Sequence, residues 1–439
     1  MFVTVTNAKQ RARLNVKCSN SNCLFAQIVV HRFFIIIIII SPPLSTAGHR
    51  LLPWHAFELG PEFFVSNHCH SLFLCRRSTY LEGALLGLHS KTRLPPRFLL
   101  ILWAISKTTF RHIEAMRARQ LGVKLPPPYP NGWFAVAESR DLKNGDVTTA
   151  DVLGEFSPFR GKCVDAYCPH LGANLGIGGK VGGSCIECPF HKWRFNVEGV
   201  CVNVPGQETA PRGVSIRTWP TAEADGAVWI WHDAEQRPPL WQISDAKELE
   251  TWGYRGRNEF VVGSHCMDIP ENGADVAHLN AHGPTCSWPH SWAAEWSRGE
   301  GHTATMKLEH HYKVGDLSVF HMDVVATQVG PGHVRLRIET GFGPLLISQS
   351  VTPVGALLQR VVHRMFSPTY NAPLVAAFVR GESYMFERDV AIWNNKRYMS
   401  SPAYVRTDKT IRAFRAWYSQ FFSEHSISFK DATQNPLDW

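Results

Sequence analysis

Two short stretches of this chain each offer one thiol and one imidazole. They are Cys168-Pro-His170-Leu-Gly172 and, with seventeen residues between His170 and the second cysteine, Cys188-Pro-Phe190-His191-Lys192-Trp193. Two cysteines and two histidines can hold zinc, but zinc motifs usually group like ligands, as C-x₂₋₄-C with H-x₃₋₅-H. Here each loop mixes the two types. That division suits a two-iron, two-sulfide cluster in which cysteines hold one iron and histidines the other, an arrangement with a higher potential than an all-cysteine cluster. Cys163, Cys185 and Cys201 lie nearby but outside the pattern and read as buried thiols.

A cluster of this kind moves electrons; chemistry on a substrate needs a second centre. The segment Glu271-Asn272-Gly-Ala-Asp275-Val-Ala-His278-Leu-Asn-Ala-His282 supplies candidates. On a helix Asp275, His278 and His282 fall at i, i+3 and i+7, along one face. Two histidines with a later carboxylate make a 2-His-1-carboxylate triad, which leaves positions on Fe(II) open for oxygen. A histidine pair four apart is weak by itself and gains meaning from lying behind the first motif. The expected third ligand is Asp389, which begins an amphipathic stretch in Phe386-Glu387-Arg388-Asp389-Val-Ala-Ile-Trp393. Glu387 stays a rival, since a capping or solvated role is open to either carboxylate.

These residues need elements to hold them. The cluster Lys124-Leu-Pro-Pro-Pro-Tyr-Pro130 predicts a stiff, extended connector and a domain boundary. Residues 131–235 then read as short strands between Gly, Asn and Asp, among them Trp133–Val136 and Ala227–Trp231, which predicts a small all-β domain. Beyond Pro238-Pro239 the pattern is mixed: strands at Thr303–Leu308 and His333–Ile338, then helices near 355–366 and 371–396. The fold class expected is α+β, with a leader at 1–123, a cluster domain at 124–235 and a catalytic domain at 236–439. Leu345, Leu346, Ile347, Val351, Val354 and Leu357 are apolar enough for a long pocket, though such residues more often form ordinary core.

Bulk properties narrow the function classes. At 439 residues, 44% hydrophobic and 19% charged, the chain suits two globular domains plus extra sequence. Its net charge of +8 is concentrated: residues 1–120 hold fifteen Lys and Arg against four acidic side chains. No basic stripe interleaved with aromatics follows, which argues against nucleic-acid binding. A basic leader beside apolar runs suits the cytosolic flank of a membrane anchor. Leu24–Leu44, with the run Ile35–Ile40, and Phe98–Ile105 are the candidate membrane segments. Eleven irregularly spaced cysteines favour a reducing compartment over a disulfide framework.

Together these motifs resemble the Neverland-type cholesterol 7-desaturases, a family of Rieske oxygenases. The likeness rests on Tyr129-Pro-Asn-Gly-Trp-Phe-Ala-Val-Ala-Glu-Ser-Arg-Asp-Leu142, Asp165–Leu175, Cys185–His191 and Pro270–Asn280. It also rests on Gly330-Pro-Gly332, Thr352-Pro-Val354 and Arg415–Glu424, and it covers about residues 120–439. It implies a Rieske domain joined to a helix-grip catalytic domain, an N-terminal membrane helix, and conversion of cholesterol to 7-dehydrocholesterol in steroid hormone synthesis. NAD(P)H is the implied electron source, through a reductase or ferredoxin. Respiratory Rieske proteins add a disulfide cysteine to each loop; Ala173 and Phe190 stand there instead, as in the lower-potential oxygenase type. In trimeric Rieske oxygenases an aspartate placed like Asp275 bridges a cluster histidine of one subunit to an iron histidine of the next. The resemblance also suggests endoplasmic-reticulum membrane with the catalytic part facing the cytosol.

Three departures bear on this. His278 and His282 have three residues between them where the family commonly has four, Asp151–Lys162 is short for two Rieske strands, and Lys192 replaces a usual glycine. A steroid hydroxylase with the same machinery, or a non-catalytic Rieske electron carrier, remains an alternative at this stage.

Overall fold

The computed structural model describes residues 118–120, 122–142, 145, 147–153, 155–158, 162–275, 278, 290–314 and 317–434, with four strands near the N-terminus. Residues Met1–Ser90 form a unit of their own, in which Phe2–Ala8, Arg11–Lys17, Phe25–His31 and Phe34–Ile40 pair successively antiparallel. Within Leu24–Leu44, a candidate membrane segment by sequence, Phe25–His31 and Phe34–Ile40 are strands. Isoleucine, branched at Cβ, is stiff and suits a pleated sheet better than a helix. Among the described residues no helix is long and apolar enough to cross a membrane, and Phe98–Ile105 lies outside them.

The cluster domain is all-β. Gly132–Glu138, Ala227–His232 and Thr221–Ala224 make one antiparallel sheet around Phe134, Val136, Trp219 and Ile230. A second sheet runs Cys201–Asn203, Arg194–Phe195, Cys185–Glu187, Lys180–Gly182 over Leu175, Ile186, Phe195 and Ile216. The short segment after Asp151 does hold strand: Thr149–Val152 pairs with Glu155–Pro158. Its economy comes from a two-residue turn in which Leu153 takes the left-handed conformation, φ 56°.

The catalytic domain is built on one seven-stranded antiparallel sheet. Its order is Gly253–Val262, Leu358–Ser367, Leu345–Gly355, His333–Thr340, Leu317–Val329, Thr303–Val314, His290–Arg298. The expected helix at 355–366 is thus a strand. Val361 and Met365 face the long helix Ala372–Trp393, whereas Arg364 and Phe366 face the cluster domain and its linker. A strand buried on both sides loses the alternation that would mark it, so periodicity alone could not separate it from helix. The expected helix at 371–396 is present as Ala372–Trp393. It grips the sheet through Val375, Val390 and Trp393.

The two domains are joined by buried polar contacts. Arg364 clasps Glu138 with Nε 3.0 and 3.1 Å and Nη2 2.7 Å from the carboxylate oxygens, and Thr352 Oγ1 donates to Ala135 O at 2.7 Å. A second knot centres on Asp225, in the left-handed turn between two cluster-domain strands. It accepts from Arg335 Nε at 2.8 Å and Ser348 Oγ at 2.9 Å and meets His333 Nε2 at 3.0 Å. Burial works against the charged carboxylate, but His333 and Arg335 overcome it and hold Asp225 far below the usual range.

Candidate metal centres

The two cluster loops repeat one backbone design. Cys168 N donates to Ala173 O at 2.9 Å, and Gly172 N donates back to Cys168 O at 2.9 Å. In the other loop Cys188 N donates to Trp193 O at 2.8 Å, and Lys192 N to Cys188 O at 3.2 Å. The turn closes four residues after each cysteine on a left-handed residue, Gly172 at φ 70° and Lys192 at φ 62°. Glycine enters that region freely, whereas lysine does so at a cost on the order of 1 kcal/mol. The lysine departure is therefore tolerated: its Nζ donates to Pro189 O at 3.1 Å across the same turn.

This design sorts the four side chains by depth. Cys168 and Cys188 are 2% and 1% exposed, while the His170 and His191 rings lie outside them with centroids 4.7 Å apart. Trp193 stacks on His170 at 4.4 Å and Phe190 covers His191 at 3.8 Å, fixing both ring planes. Burial, together with the neighbouring Cys188, pushes the Cys168 thiol up to about 11. Two buried, adjoining sulfurs under two imidazoles fit the mixed ligation of a Rieske cluster, which supplies the positive charge such thiolates need.

The second centre is assembled from opposite ends of the catalytic domain. The helix Asp268–Glu271 tightens into a 3₁₀ turn over Asn272–Ala274, and Asp275 then leaves helical geometry at φ −94°, ψ 85°. Asp275 thus lies outside helical geometry, while His278 is helical again. The Asp275 carboxylate instead accepts from His278 N–H at 3.0 Å, three residues on, as an N-cap does. Across from it, Asp389 sits in the last turns of the long helix Ala372–Trp393, not at the start of one.

His278 Nε2 and Asp389 Oδ2 converge to 3.4 Å, both largely buried. Burial works against a charged imidazole, but the Asp389 carboxylate outweighs it and raises the His278 pKa. In metal-bearing form a cation would take the place of that proton, so the pair fits an iron site. Glu387, two residues before Asp389, points roughly 200° away around the helix. His282 lies outside the described residues.

Asn272 was not singled out from sequence. Its side-chain amide donates to Asp389 Oδ2 at 3.2 Å and lies 3.2 Å from His278 Nε2, so it ties the two candidate ligands together. An asparagine amide carries no spacing signature, and its place inside the Glu271–His278 motif was the one available hint. The C-terminal helix Lys409–Tyr418 braces this segment: Arg415 forms a bidentate pair with Glu271 and Thr410 Oγ1 donates to Ala274 O at 2.7 Å.

Comparison with known proteins identifies both domains. Residues 132–220 match the Rieske [2Fe-2S] domain family and residues 230–422 the 3-ketosteroid 9alpha-hydroxylase C-terminal domain family. The fold is shared with apo dicamba monooxygenase at 15% identity and TM-score 0.53, covering 67% of this chain and 98% of that one. Cholesterol 7-desaturase nvd of Drosophila melanogaster is 40% identical over 74% of this chain and 82% of its own length. The Bombyx mori protein of the same name is 59% identical, covering 74% of this chain and 77% of its own length. At these identities and coverages the chain belongs to the cholesterol 7-desaturase family of Rieske oxygenases.

Proposed function

We propose that the protein desaturates cholesterol between C7 and C8, giving 7-dehydrocholesterol for steroid hormone synthesis. Cholesterol, O₂, two protons and two electrons from NAD(P)H give the diene and two waters, so no oxygen is retained. The observation that carries the reading is the convergence of His278 and Asp389 where a long helix packs on the sheet, in a chain with a two-thiol, two-imidazole loop pair.

In this reading Cys168, Cys188, His170 and His191 hold the cluster, and His278, His282 and Asp389 hold the mononuclear iron. When bound, the cluster relays electrons from a reductase or ferredoxin and the iron activates O₂. The chain's own residues set the geometry. Asn272 fixes the Asp389 carboxylate, and Asp275 fixes the turn that presents His278. Asp275 also serves as the electron bridge to a cluster histidine of the next copy in a homotrimer. Leu171 and Phe190, 65% and 62% exposed beside His170 and His191, suit coverage by that copy. The proposed site of action is the endoplasmic-reticulum membrane, with the catalytic domain in the cytosol.

The test is expression in animal cells fed labelled cholesterol, with products identified by mass spectrometry. Labelled 7-dehydrocholesterol from the wild type, absent with Asp389→Ala, is expected. A product that retains an oxygen atom would assign hydroxylation instead.

A further inference from the structure

The long helix Ala372–Trp393 meets the sheet along one side. Val375, Val379, Phe386 and Trp393 share an arc about 80° wide with Glu382 and Asp389, which are the polar residues of that arc. Asp389 is the candidate iron ligand; Glu382, two turns earlier, needs another explanation. It is 8% exposed, and a carboxylate so placed is costly unless its oxygens are paired. Its partners come from two neighbouring strands, on which Asn258 and His363 stand opposite each other in register. His363 Nδ1 meets Glu382 Oε1 at 2.6 Å, and Asn258 Nδ2 donates to Glu382 Oε2 at 2.6 Å. The same amide donates to Val379 O at 2.6 Å, so it holds the helix by its backbone as well. One turn nearer Asp389, Phe386 lies edge-on to the His363 ring at 4.6 Å.

A second tie lies beyond Asp389. Gly263 N donates to Asn394 Oδ1 at 2.6 Å, at the end of the helix. Asn258 belongs to the strand Gly253–Val262, and Gly263 follows it directly. From Asn258 to Gly263 the extended chain spans ~17 Å, and from Glu382 to Asn394 the helix rises ~18 Å. One strand therefore gauges the helix at two matched points, with Asp389 held between them. The chain that leaves this strand runs through Asp268–Glu271 to Asn272, whose amide bonds Asp389, and on to His278.

Apolar contacts fix such a placement loosely, because one apolar face can slide or turn against another at little cost. A buried polar group accepts one arrangement and sets the register, at some expense in stability. We propose that Glu382, through Asn258 and His363, is a positioning residue for Asp389. It pins the rotation and axial position of the helix so that the Asp389 carboxylate meets His278. The inference rests on the reading of His278 and Asp389 as iron ligands and is indifferent to the substrate.

The test uses the full chain with its cluster in place, the second metal site emptied by dialysis against a chelator and then titrated with Co(II), whose visible bands report ligand geometry. Each variant is also unfolded in urea. Glu382→Met/His363→Phe removes both sides of the tie and keeps its bulk, so the urea midpoint should stay near the wild-type value or rise. Its Co(II) affinity should nevertheless fall on the order of tenfold, with altered bands. Glu382→Gln keeps hydrogen-bonding atoms toward Asn258 and His363 and should bind Co(II) within about threefold of wild type, whatever its midpoint. Asn258→Ser withdraws the amide from the sheet side and should weaken Co(II) as the double variant does, which decides the matter should the double variant lose its cluster. Co(II) affinity within about twofold of wild type in the double variant or in Asn258→Ser overturns the proposal. Losses of affinity that simply follow the urea midpoints across all variants also overturn it, since they would leave Glu382 a purely structural part. Undiminished Co(II) binding by Asp389→Ala would instead remove the iron reading, and the positioning role with it.

Discussion

Replacing Glu138 by glutamine should loosen the cluster domain from the catalytic sheet while leaving every proposed metal ligand in place. Glu138 is buried at the end of the first cluster-domain strand, and its carboxylate takes three contacts of 2.7–3.1 Å from Arg364. Arg257 adds another at 3.2 Å. Arg364 is 1% exposed, and it also donates from Nη1 to Ser350 Oγ, a neutral group, at 3.1 Å. Glutamine keeps the shape but removes the charge, and its amide must turn a donor toward a guanidinium. Breaking a buried pair from one side costs about 3–5 kcal/mol, against a total stability of about 5–15 kcal/mol. With a urea slope of roughly 3 kcal/mol/M for a chain of this size, the unfolding midpoint should drop by ~1 M or more. The assay is urea unfolding followed by visible circular dichroism of the cluster and by tryptophan fluorescence. The double variant Glu138→Met/Arg364→Met removes both charges and should recover most of the loss, because a well-packed apolar pair is close to neutral there. A Glu138→Gln midpoint within ~0.2 M of wild type, or a double variant no better than the single, would refute this account of the interface.

Three further outcomes are expected. Asp389→Ala should lower iron from about three to about two atoms per chain with the cluster spectrum unchanged, and loss of the cluster signal would show that the two centres were wrongly separated. Gly179→Ala places a Cβ 2.0 Å from Leu175 O and 3.2 Å from Glu187 O, both backbone atoms of the cluster loops. It should destabilise the cluster domain by about 2–3 kcal/mol and lower cluster occupancy, read from visible absorbance per chain. Burial, reinforced by Arg217, pushes His232 down to about 4. The unfolded chain therefore takes up that proton first, so this contribution is present above the ordinary histidine pKa of 6.5 and is lost as pH falls toward 4. The loss is worth roughly 3 kcal/mol, and His232→Gln should flatten the decline of urea midpoint between those pH values.

What sequence could reveal here followed how far apart the cooperating residues lie. Each cluster loop carries its ligands within four residues, so Cys168, His170, Cys188 and His191 could be read from spacing, and the loops bring those rings to 4.7 Å. The candidate iron site draws on residues more than a hundred positions apart. There, pattern reached His278 and Asp389, whose approach to 3.4 Å depends on the long helix crossing the sheet. Their local geometry needed the structure: Asp275 leaves helical geometry and caps the turn that presents His278, and Asp389 lies in the last turns of the helix expected over 371–396. Asn272 escaped notice because its role exists only after folding, when one amide reaches two side chains. The strand at Leu358–Ser367 was hidden for the opposite reason. Both of its faces carry buried side chains, one set against the helix and the other, through Arg364, against the cluster domain. The residue that spoiled its strand pattern is therefore the one that ties the electron-carrying domain to the catalytic sheet. A charged residue in an otherwise apolar central strand, with an acidic partner on a distant strand, marks a domain junction in this fold; Glu138 and Arg364 are that pair.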